Sequence, residues 1–363
     1  MRILAVDIGT GTQDILLFDT AKVVENCVKM VMPSPTAIVA ERISRATAQG
    51  RPIMFAGVTM GGGPSKRALS RHTAKGLEAY ATAEAALTFH DDLYVVREMG
   101  VKIIAADETP RMPDLETILL KDLDLEAIRR ALGVFGIDHG FDVLAVAVLD
   151  HGFAPPGVSN RLFRFDHLRR LINQRNELVT FAYWKEELPV YLTRAKAVAQ
   201  SADPDVPLLL LDTGVAAALG ALRDNEVLRH QDLVTVNMGN SHTIAFHLHG
   251  MSIEGFFEHH TNLIDAADLD LLITKLVQGT LSHEDVYEAG GHGAIVLRGD
   301  RRRFFVAATG PRWDVIAGSL LKTYRACPYG DTMLAGCYGL VSACAMRMEA
   351  WHEEIERTLS GVS

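Results

Sequence analysis

Two short apolar runs joined by a polar turn open the chain. Residues 3–7 and 15–19 are apolar segments of strand length, and the turn 9–12 between them reads Gly-Thr-Gly-Thr. Strand-length runs that flank a Gly-rich turn predict a β-hairpin. The pattern returns late in the chain, where residues 233–237 and 243–248 flank a Gly-Asn-Ser turn. The sequence therefore predicts two hairpins and, with them, two related halves.

Strand and helix patterns alternate over the rest of the chain, which is typical of an α/β fold. Helices are predicted over residues 65–86, 124–134, 166–175, 188–200, 215–223 and 331–348. Further strands are predicted over residues 52–59, 101–106, 141–149, 208–211 and 304–308.

The length of 363 residues exceeds the size at which a single core stops growing, roughly 250–300 residues. We therefore expect more than one domain. Our prediction is a first domain over residues 1–225, a second over 226–330 and a closing helix, 331–363, that returns toward the first.

Composition narrows the class of protein. The chain is 48% hydrophobic and 22% charged, as ordinary globular proteins are. A net charge of −9 argues against nucleic acid as a partner. The N-terminus lacks the layout of a signal peptide, and apolar runs stay shorter than the roughly 18 residues that span a membrane. The four cysteines include no C-x-x-C pair, so we expect reduced thiols and a cytoplasmic protein.

The first turn has the chemistry of a phosphate-binding loop. Gly9, Thr10, Gly11 and Thr12 can present backbone N–H groups and hydroxyls to phosphate oxygens without side-chain obstruction. Asp7, at the end of the preceding strand, supplies a carboxylate that could hold Mg²⁺ through water. An ordinary hairpin with a polar turn is the alternative interpretation.

Five segments, in order, resemble landmarks of the superfamily of actin-like ATPases, sugar kinases and heat-shock chaperone ATPases. They are LAVDIGTGT (4–12), DTGVAAALGA (212–221), NMGNSHT (237–243), ATGP (308–311) and AGCYG (335–339). The resemblance implies two actin-like (ribonuclease H-like) α/β domains, with ATP and Mg²⁺ bound in the cleft between them. It makes Gly239, Asn240 and Ser241 the second phosphate loop, and it places Thr309 and Gly310 in a turn beside the adenosine.

Asp212 has two interpretations. In the resembling sugar kinases an acidic residue at this point faces the cleft, which implies that Asp212 is a general base. A carboxylate immediately before a helix is also a good N-cap, and one side chain could serve both purposes.

Two departures from the superfamily pattern concern nucleotide turnover. The second phosphate loop usually opens with Asp, whereas this chain has Asn237, and the adenosine turn has Pro311 where a second glycine is usual. Loss of a carboxylate weakens the metal shell, and proline removes a backbone N–H.

Histidine is abundant, with 14 residues. Six lie near predicted strand ends: His139, His151, His242, His259, His260 and His292. Glu258, His259 and His260 could form a metal site with Asp150 and His151 if the fold joined them, although neighbouring side chains of a strand point to opposite faces.

The leading functional hypothesis is an ATP-binding ATPase or phosphotransferase that acts on an unknown small-molecule or protein acceptor. Alternatives are a nucleotide-sensing or scaffold protein without efficient turnover, and a metal-dependent hydrolase that uses the histidines. A homodimer is compatible with each of these.

The chain also resembles a prokaryotic family of this superfamily that is often labelled as pyruvate formate-lyase activating enzyme. That activity requires the C-x-x-x-C-x-x-C motif of an iron–sulfur cluster. Here the cysteine spacing is C-x9-C-x6-C, so the chain does not form the motif.

Overall fold

The computed structural model describes residues 1–361 except 109, 111, 156 and 300–302. The strands are β1 (Arg2–Ile8), β2 (Thr12–Asp19), β3 (Val28–Pro33), β4 (Ile53–Gly57), β5 (Ala79–Thr82), β6 (Val101–Ile104), β7 (Glu116–Leu120), β8 (Val143–Val148), β9 (Tyr183–Trp184), β10 (Leu208–Leu211), β11 (Asp232–Met238), β12 (His242–His249), β13 (Ser252–His260), β14 (Gly293–Val296), β15 (Phe305–Thr309) and β16 (Thr323–Arg325). The α-helices are α1 (Pro35–Ala48), α2 (Gly63–Ala74), α3 (Ala83–Ala86), α4 (Leu93–Glu98), α5 (Leu125–Val134), α6 (Asn160–Gln174), α7 (Thr193–Ser201), α8 (Thr213–Ala221), α9 (Ala266–Gln278), α10 (His283–Tyr287), α11 (Ala335–Arg347) and α12 (His352–Leu359).

The first hairpin belongs to a mixed six-stranded sheet with the order β3-β2-β1-β8-β10-β9. The pairs β1–β2 and β2–β3 are antiparallel, whereas β1–β8 and β8–β10 are parallel. Strand β8 is buried along its whole length and reads Val-Leu-Ala-Val-Ala-Val, as expected of a strand covered on both faces.

The second hairpin lies in a sheet of the same design, with the order β14-β13-β12-β11-β15-β16. Here β11–β12 and β12–β13 are antiparallel, and β11–β15 and β15–β16 are parallel. Three antiparallel strands followed by two parallel ones, in the order 3-2-1-4-5, therefore occur twice. This duplication is the arrangement of two ribonuclease H-like domains, and it confirms the predicted α/β actin-like fold class.

A third sheet, β6-β5-β4-β7, is inserted in the chain between β3 and β8. All of its strand pairs are parallel. The prediction of one helix over residues 65–86 is wrong: α2 ends at Ala74, and β5 follows. Gly76, with a φ of +74°, adopts the left-handed conformation that commonly terminates a helix.

Helices α8 and α11 lie between the two six-stranded sheets and share one hydrophobic core with them. Their contact is backbone to backbone, since a Cβ on Gly220 would lie 1.7 Å from the carbonyl oxygen of Ala335. A Cβ on Gly339 would similarly lie 1.8 Å from the carbonyl oxygen of Ala216. The glycines thus set how closely the two helices approach. Within the described ranges, no helix has the length and apolar character needed to cross a membrane.

Candidate functional site

A cleft of about 740 Å³ lies where the two hairpins meet. Most of the predicted site residues line it: Asp7, Gly9, Thr10, Thr12, Gly239, Asn240, Ser241, Thr309 and Gly310. The Gly-rich segment 60–63, which follows β4, lines the same cleft. Two predicted residues, Gly11 and Asp212, are not on its wall.

The two hairpin turns are built alike. In the first, the N–H of Gly9 donates to the carbonyl oxygen of Thr12 at 2.9 Å, and in the second the N–H of Gly239 donates to that of His242, also at 2.9 Å. Both turns are therefore closed in the same way, by a hydrogen bond between residues three positions apart.

The residue that follows the third strand of each sheet fixes the carbonyl groups of the matching turn. Ser34 donates from its hydroxyl to Thr10 O at 2.6 Å and from its N–H to Gly11 O at 3.0 Å. Thr261 donates from its hydroxyl to Gly239 O at 2.8 Å and from its N–H to Ser241 O at 2.9 Å. In a planar trans peptide the next N–H points opposite to the carbonyl. Each turn therefore directs N–H groups away from Ser34 or Thr261.

The turns touch each other. A Cβ on Gly11 would lie 2.2 Å from the side-chain nitrogen of Asn240, so this glycine lets the second turn approach the first. The residues predicted as two separate phosphate loops are thus neighbours in space.

Asp7 and Asp14 form a pair of buried carboxyl groups at the base of the first turn. They are directly opposite each other in the β1–β2 register, and they are 9% and 6% exposed. Thr213 donates to Asp7 Oδ1 at 2.6 Å, whereas Asp14 Oδ1 has no hydrogen-bond partner among the described residues. Helix α11 starts against this pair, since a Cβ on Gly336 would lie 1.9 Å from Asp7 Oδ2.

Burial raises the pKa of both carboxyl groups. It raises the pKa of Asp7 to about 7, with the hydrogen bond from Thr213 acting in the opposite sense. Burial, followed by repulsion from Asp7, raises the pKa of Asp14 to about 8. Buried carboxyl groups of this kind resist ionisation until a cation compensates them.

Asp212 is the N-cap of α8, accepting from the N–H of Gly214 at 3.0 Å. Its other oxygen is 2.8 Å from Nη1 of Arg164, whose Nε donates to Glu258 Oε2 at 2.7 Å. Arg164 on α6 therefore joins α8 to β13 of the second sheet. The capping role of Asp212 is present in the structure, and its role as a base stays a prediction.

Four side chains from both sheets converge beside the second turn. His151, His242, Glu258 and His292 each offer one ligand atom, and these atoms lie within 4.8 Å of one another. His151 and His242 are on the cleft wall, and Glu258 and His292 are buried behind it. We call these four residues the histidine cluster.

The histidine cluster consists of neutral imidazoles around an ionised carboxylate. Burial is the main cause that lowers the pKa of His242 to about 4 and of His292 to about 3, and it also places the pKa of His151 well below its ordinary value. Burial alone would raise the pKa of Glu258, but the positive charge of Arg164 outweighs it and holds that pKa below its usual range.

The cluster differs from the metal group considered from the sequence. The structure does join His151 to Glu258, but the other members are His242 and His292. His259 and His260 are excluded from the group, and His259 Nδ1 lies 3.2 Å from the carbonyl oxygen of His260.

Sequence reasoning missed Asp14, Thr213 and the pairing of Arg164 with Glu258. The signal for Asp14 was available, because a turn closed between Gly9 and Thr12 places residue 14 opposite residue 7. Thr213 follows Asp212 directly and could have been noted as a hydroxyl at a helix start. Strand β13 was not predicted, so nothing in the sequence pattern indicated that Glu258 lies beside Arg164.

A duplicated ribonuclease H-like sheet with two matching hairpin turns at the intervening cleft defines a protein of the actin-like ATPase fold. More narrowly, the chain belongs to the family described as "Putative pyruvate format-lyase activating enzyme (DUF1786)", whose model matches residues 60–315. No curated protein sequence matches the chain.

Solved structures with distant similarity include the ethanolamine utilization protein EutJ from Carboxydothermus hydrogenoformans. It is 11% identical, with 94% of this chain and 89% of that chain covered and a TM-score of 0.33. The ROK hexokinase from Thermus thermophilus is 13% identical, with 96% and 99% covered and a TM-score of 0.31. An exopolyphosphatase from Cytophaga hutchinsonii is 8% identical, with 86% and 68% covered and a TM-score of 0.30. The strand order, rather than these matches, defines the fold.

The four cysteines, all of them described, do not come together as a set of iron–sulfur ligands. Cys27, Cys337 and Cys344 are buried, and Cys327 is partly exposed. Among the described residues, which include all four, the cysteines take part in no group that could hold a metal.

Proposed function

We propose that the chain binds ATP with Mg²⁺ in the cleft and acts as an ATPase or as a phosphotransferase on an unidentified acceptor. The observation that carries the proposal is the pair of matched turns at one cleft. Each turn begins with a glycine, each is closed by the same backbone hydrogen bond, and each has its carbonyl groups fixed from behind by Ser34 or Thr261. Backbone N–H groups that are fixed in this way suit phosphate oxygens.

Asp7 and Asp14 fit a hard cation. Magnesium prefers oxygen ligands, and it is usually held by one or two carboxylates together with phosphate oxygens. The unpartnered Oδ1 of Asp14 and the raised pKa values of both groups support a cation at this point. When bound, Mg²⁺ neutralises charge on the phosphates. Thr213 keeps the carboxylate of Asp7 in place through its hydrogen bond.

Two further segments of the cleft wall are assigned to different reactants. We assign Thr309 and Gly310, at the end of β15, to the adenosine side, as the sequence resemblance implies. The segment 60–63 also lines the cleft, and we assign it to the acceptor. Arg194 lies beside this segment, where a Cβ on Gly61 would be 2.7 Å from its Nη2.

We propose that Asp212 caps helix α8 and also acts as the general base that accepts a proton during phosphoryl transfer. Its carboxylate already accepts from Gly214 and is paired with Arg164, and a carboxylate has about four acceptor positions. Arg164 holds the carboxylate in a fixed orientation, which a general base requires.

Binding and turnover are tested separately. Thermal unfolding with ATP, ADP and GTP at millimolar concentration, with and without Mg²⁺, should show stabilisation by adenine nucleotides that Mg²⁺ increases. If no nucleotide shifts the transition, the proposal is wrong. For turnover, ATP hydrolysis is compared in the wild type, Asp7→Ala and Asp212→Ala, and a rate that neither substitution lowers would place the activity outside this site.

Nucleotide binding without efficient turnover is the second candidate, and Asn237 favours it. This side chain stands on the cleft wall where the superfamily pattern has a carboxylate, and its Oδ1 lies 3.4 Å from the hydroxyl of Thr309. Restoring the carboxylate with Asn237→Asp tests this candidate. Stabilisation by ATP without hydrolysis in the wild type, together with hydrolysis in Asn237→Asp, would support the sensing role.

A further inference from the structure

The histidine cluster unites four segments that are distant in sequence. His151 follows β8 of the first sheet, whereas His242 starts β12, Glu258 lies in β13 and His292 precedes β14 of the second sheet. The ligand atoms of all four lie within 4.8 Å of one another. Such a convergence of three imidazoles and one carboxylate uses side chains that Mg²⁺ sites rarely combine.

Two polar atoms of the cluster are buried without hydrogen-bond partners. They are Oε1 of Glu258 and Nδ1 of His292, which lie 3.7 Å apart on side chains that are each 1% exposed. Leaving a buried polar atom unpaired destabilises the folded state, and more so if the atom is charged. A hydrogen-bonded structural cluster would have paired these atoms.

The ring contact between His151 and His292 also indicates a cation site. Their Nε2 atoms are 3.0 Å apart, and only one of the two can donate a proton to the other. The two rings are stacked at 5.1 Å, and the ring of His242 lies 4.9 Å from that of His292. Several ring nitrogens therefore crowd around one small volume, as they do around a cation.

Arg164 gives the cluster the support that metal sites typically have outside their ligands. Its Nε donates to Glu258 Oε2 at 2.7 Å, which fixes the carboxylate and leaves Oε1 directed toward the histidines. Partners of this kind orient metal ligands and contribute to metal affinity.

We infer that His151, His242, Glu258 and His292 bind one divalent transition-metal ion, with Zn²⁺ as the leading candidate. Three imidazole nitrogens and one carboxylate oxygen are ligands that Zn²⁺ accepts in a four-coordinate shell. His151 and His242 lie on the cleft wall, so the ion faces the cleft on one side, where water or an oxygen of a cleft ligand can reach it. This site is distinct from the Mg²⁺ site at Asp7 and Asp14 and does not depend on nucleotide binding.

Cobalt titration tests the inference without any nucleotide. The full chain is stripped with a chelator and titrated with Co²⁺, and visible absorption is recorded. We expect one equivalent to give the intense band of a four- or five-coordinate site and Zn²⁺ to remove it. Absence of a saturable one-to-one signal at micromolar Co²⁺ would overturn the inference, whatever the outcome of the nucleotide experiments.

Substitutions then locate the ion. Glu258→Gln and His292→Gln should each weaken Co²⁺ binding at least about a hundredfold. His139→Gln, at an exposed histidine outside the cluster, is the control and should bind as the wild type does. If the buried variants do not fold, His151→Gln on the cleft wall is measured instead. Wild-type affinity in the folded cluster variants would overturn the assignment.

Discussion

Asp14 lies directly opposite Asp7 across the first hairpin, and the carboxyl groups of both residues are buried at the cleft. Burial and the repulsion between like charges disfavour ionisation of these carboxyl groups, so two charged carboxylates at this point reduce the stability of the fold. A cation removes that cost. The pair therefore links the fold of the hairpin to the ion that the cleft is proposed to hold.

The first prediction concerns this pair. Asp14→Asn should reduce the stabilisation that Mg²⁺ gives the nucleotide-bound protein, because one of the two negative charges that face the ion is lost. We expect the Mg²⁺ affinity to fall at least about tenfold, which corresponds to about 1.4 kcal/mol. Thermal unfolding at increasing MgCl₂ with fixed ATP measures it. Asp19→Asn, at a buried carboxylate of the same strand that pairs with Arg2, should keep the Mg²⁺ response. An unchanged response in Asp14→Asn would contradict the assignment.

The second prediction tests the contact between the turns. Gly11→Ala should cost about 1–3 kcal/mol of stability, because the added Cβ overlaps the side chain of Asn240. Asn240→Ala in the same chain should restore most of the loss, since it removes the overlapping atoms. Chemical unfolding of the two single variants and the double variant gives the coupling energy.

Gly133→Ala is the control for that cycle. Gly133 is in helix α5 and has open space around its Cβ position, so alanine should stabilise the protein by up to about 1 kcal/mol. Additive effects of Gly11→Ala and Asn240→Ala would mean that the turns do not touch in solution.

The third prediction concerns Arg164. Arg164→Met leaves the buried carboxylate of Glu258 and the partly buried carboxylate of Asp212 without their shared cation, and it should cost about 3–5 kcal/mol. Arg129→Met, which breaks a partly exposed ion pair with Asp203, should cost less than about 1 kcal/mol. Urea unfolding compares the two variants. Equal losses of unfolding free energy would show that the ion pairs of Arg164 contribute no more to stability than the more exposed pair of Arg129 with Asp203.

The fourth prediction concerns pH. Burial, aided by the charges of Arg164 and Arg170, lowers the pKa of His167 to about 4 from an ordinary 6.5. Between these values the unfolded chain binds the proton and the folded chain does not, so stability falls as pH decreases from about 6.5 to about 4. This histidine should contribute up to about 3 kcal/mol to that loss.

His167→Gln should reduce the loss of unfolding free energy between pH 6.5 and pH 4 by up to about 3 kcal/mol. The measurement is the free energy of unfolding at several pH values between 4 and 7.5, in which the slope matters more than the absolute stability. A variant with the same slope as the wild type would mean that other groups account for the dependence.

Local patterns account for what the sequence predicted. Both hairpins follow from apolar runs joined by a turn that contains glycine, and residues 9, 10, 12 and 239–241 line the cleft. Strand β10 matches its prediction because four consecutive leucines are bounded by a proline and by the capping Asp212.

The features that the sequence did not predict depend on contacts between residues far apart in the chain. Strand β13 carries Gly255, Glu258 and two histidines, and its pattern gives no clear alternation, although the strand is buried on both faces. The histidine cluster needs the pairing of β12 with β13 and the approach of the first sheet at His151, neither of which has a local signal. The partnership of Arg164 with Glu258 spans 94 residues and depends on the same geometry.

The most direct test of the nucleotide cleft is a crystal structure with Mg²⁺ and a non-hydrolysable ATP analogue. We predict that the phosphates lie between the turns 9–12 and 239–242, with Mg²⁺ on the side of Asp7 and Asp14 and the adenine near Thr309 and Gly310. A nucleotide bound elsewhere, with both turns free of phosphate, would contradict the account.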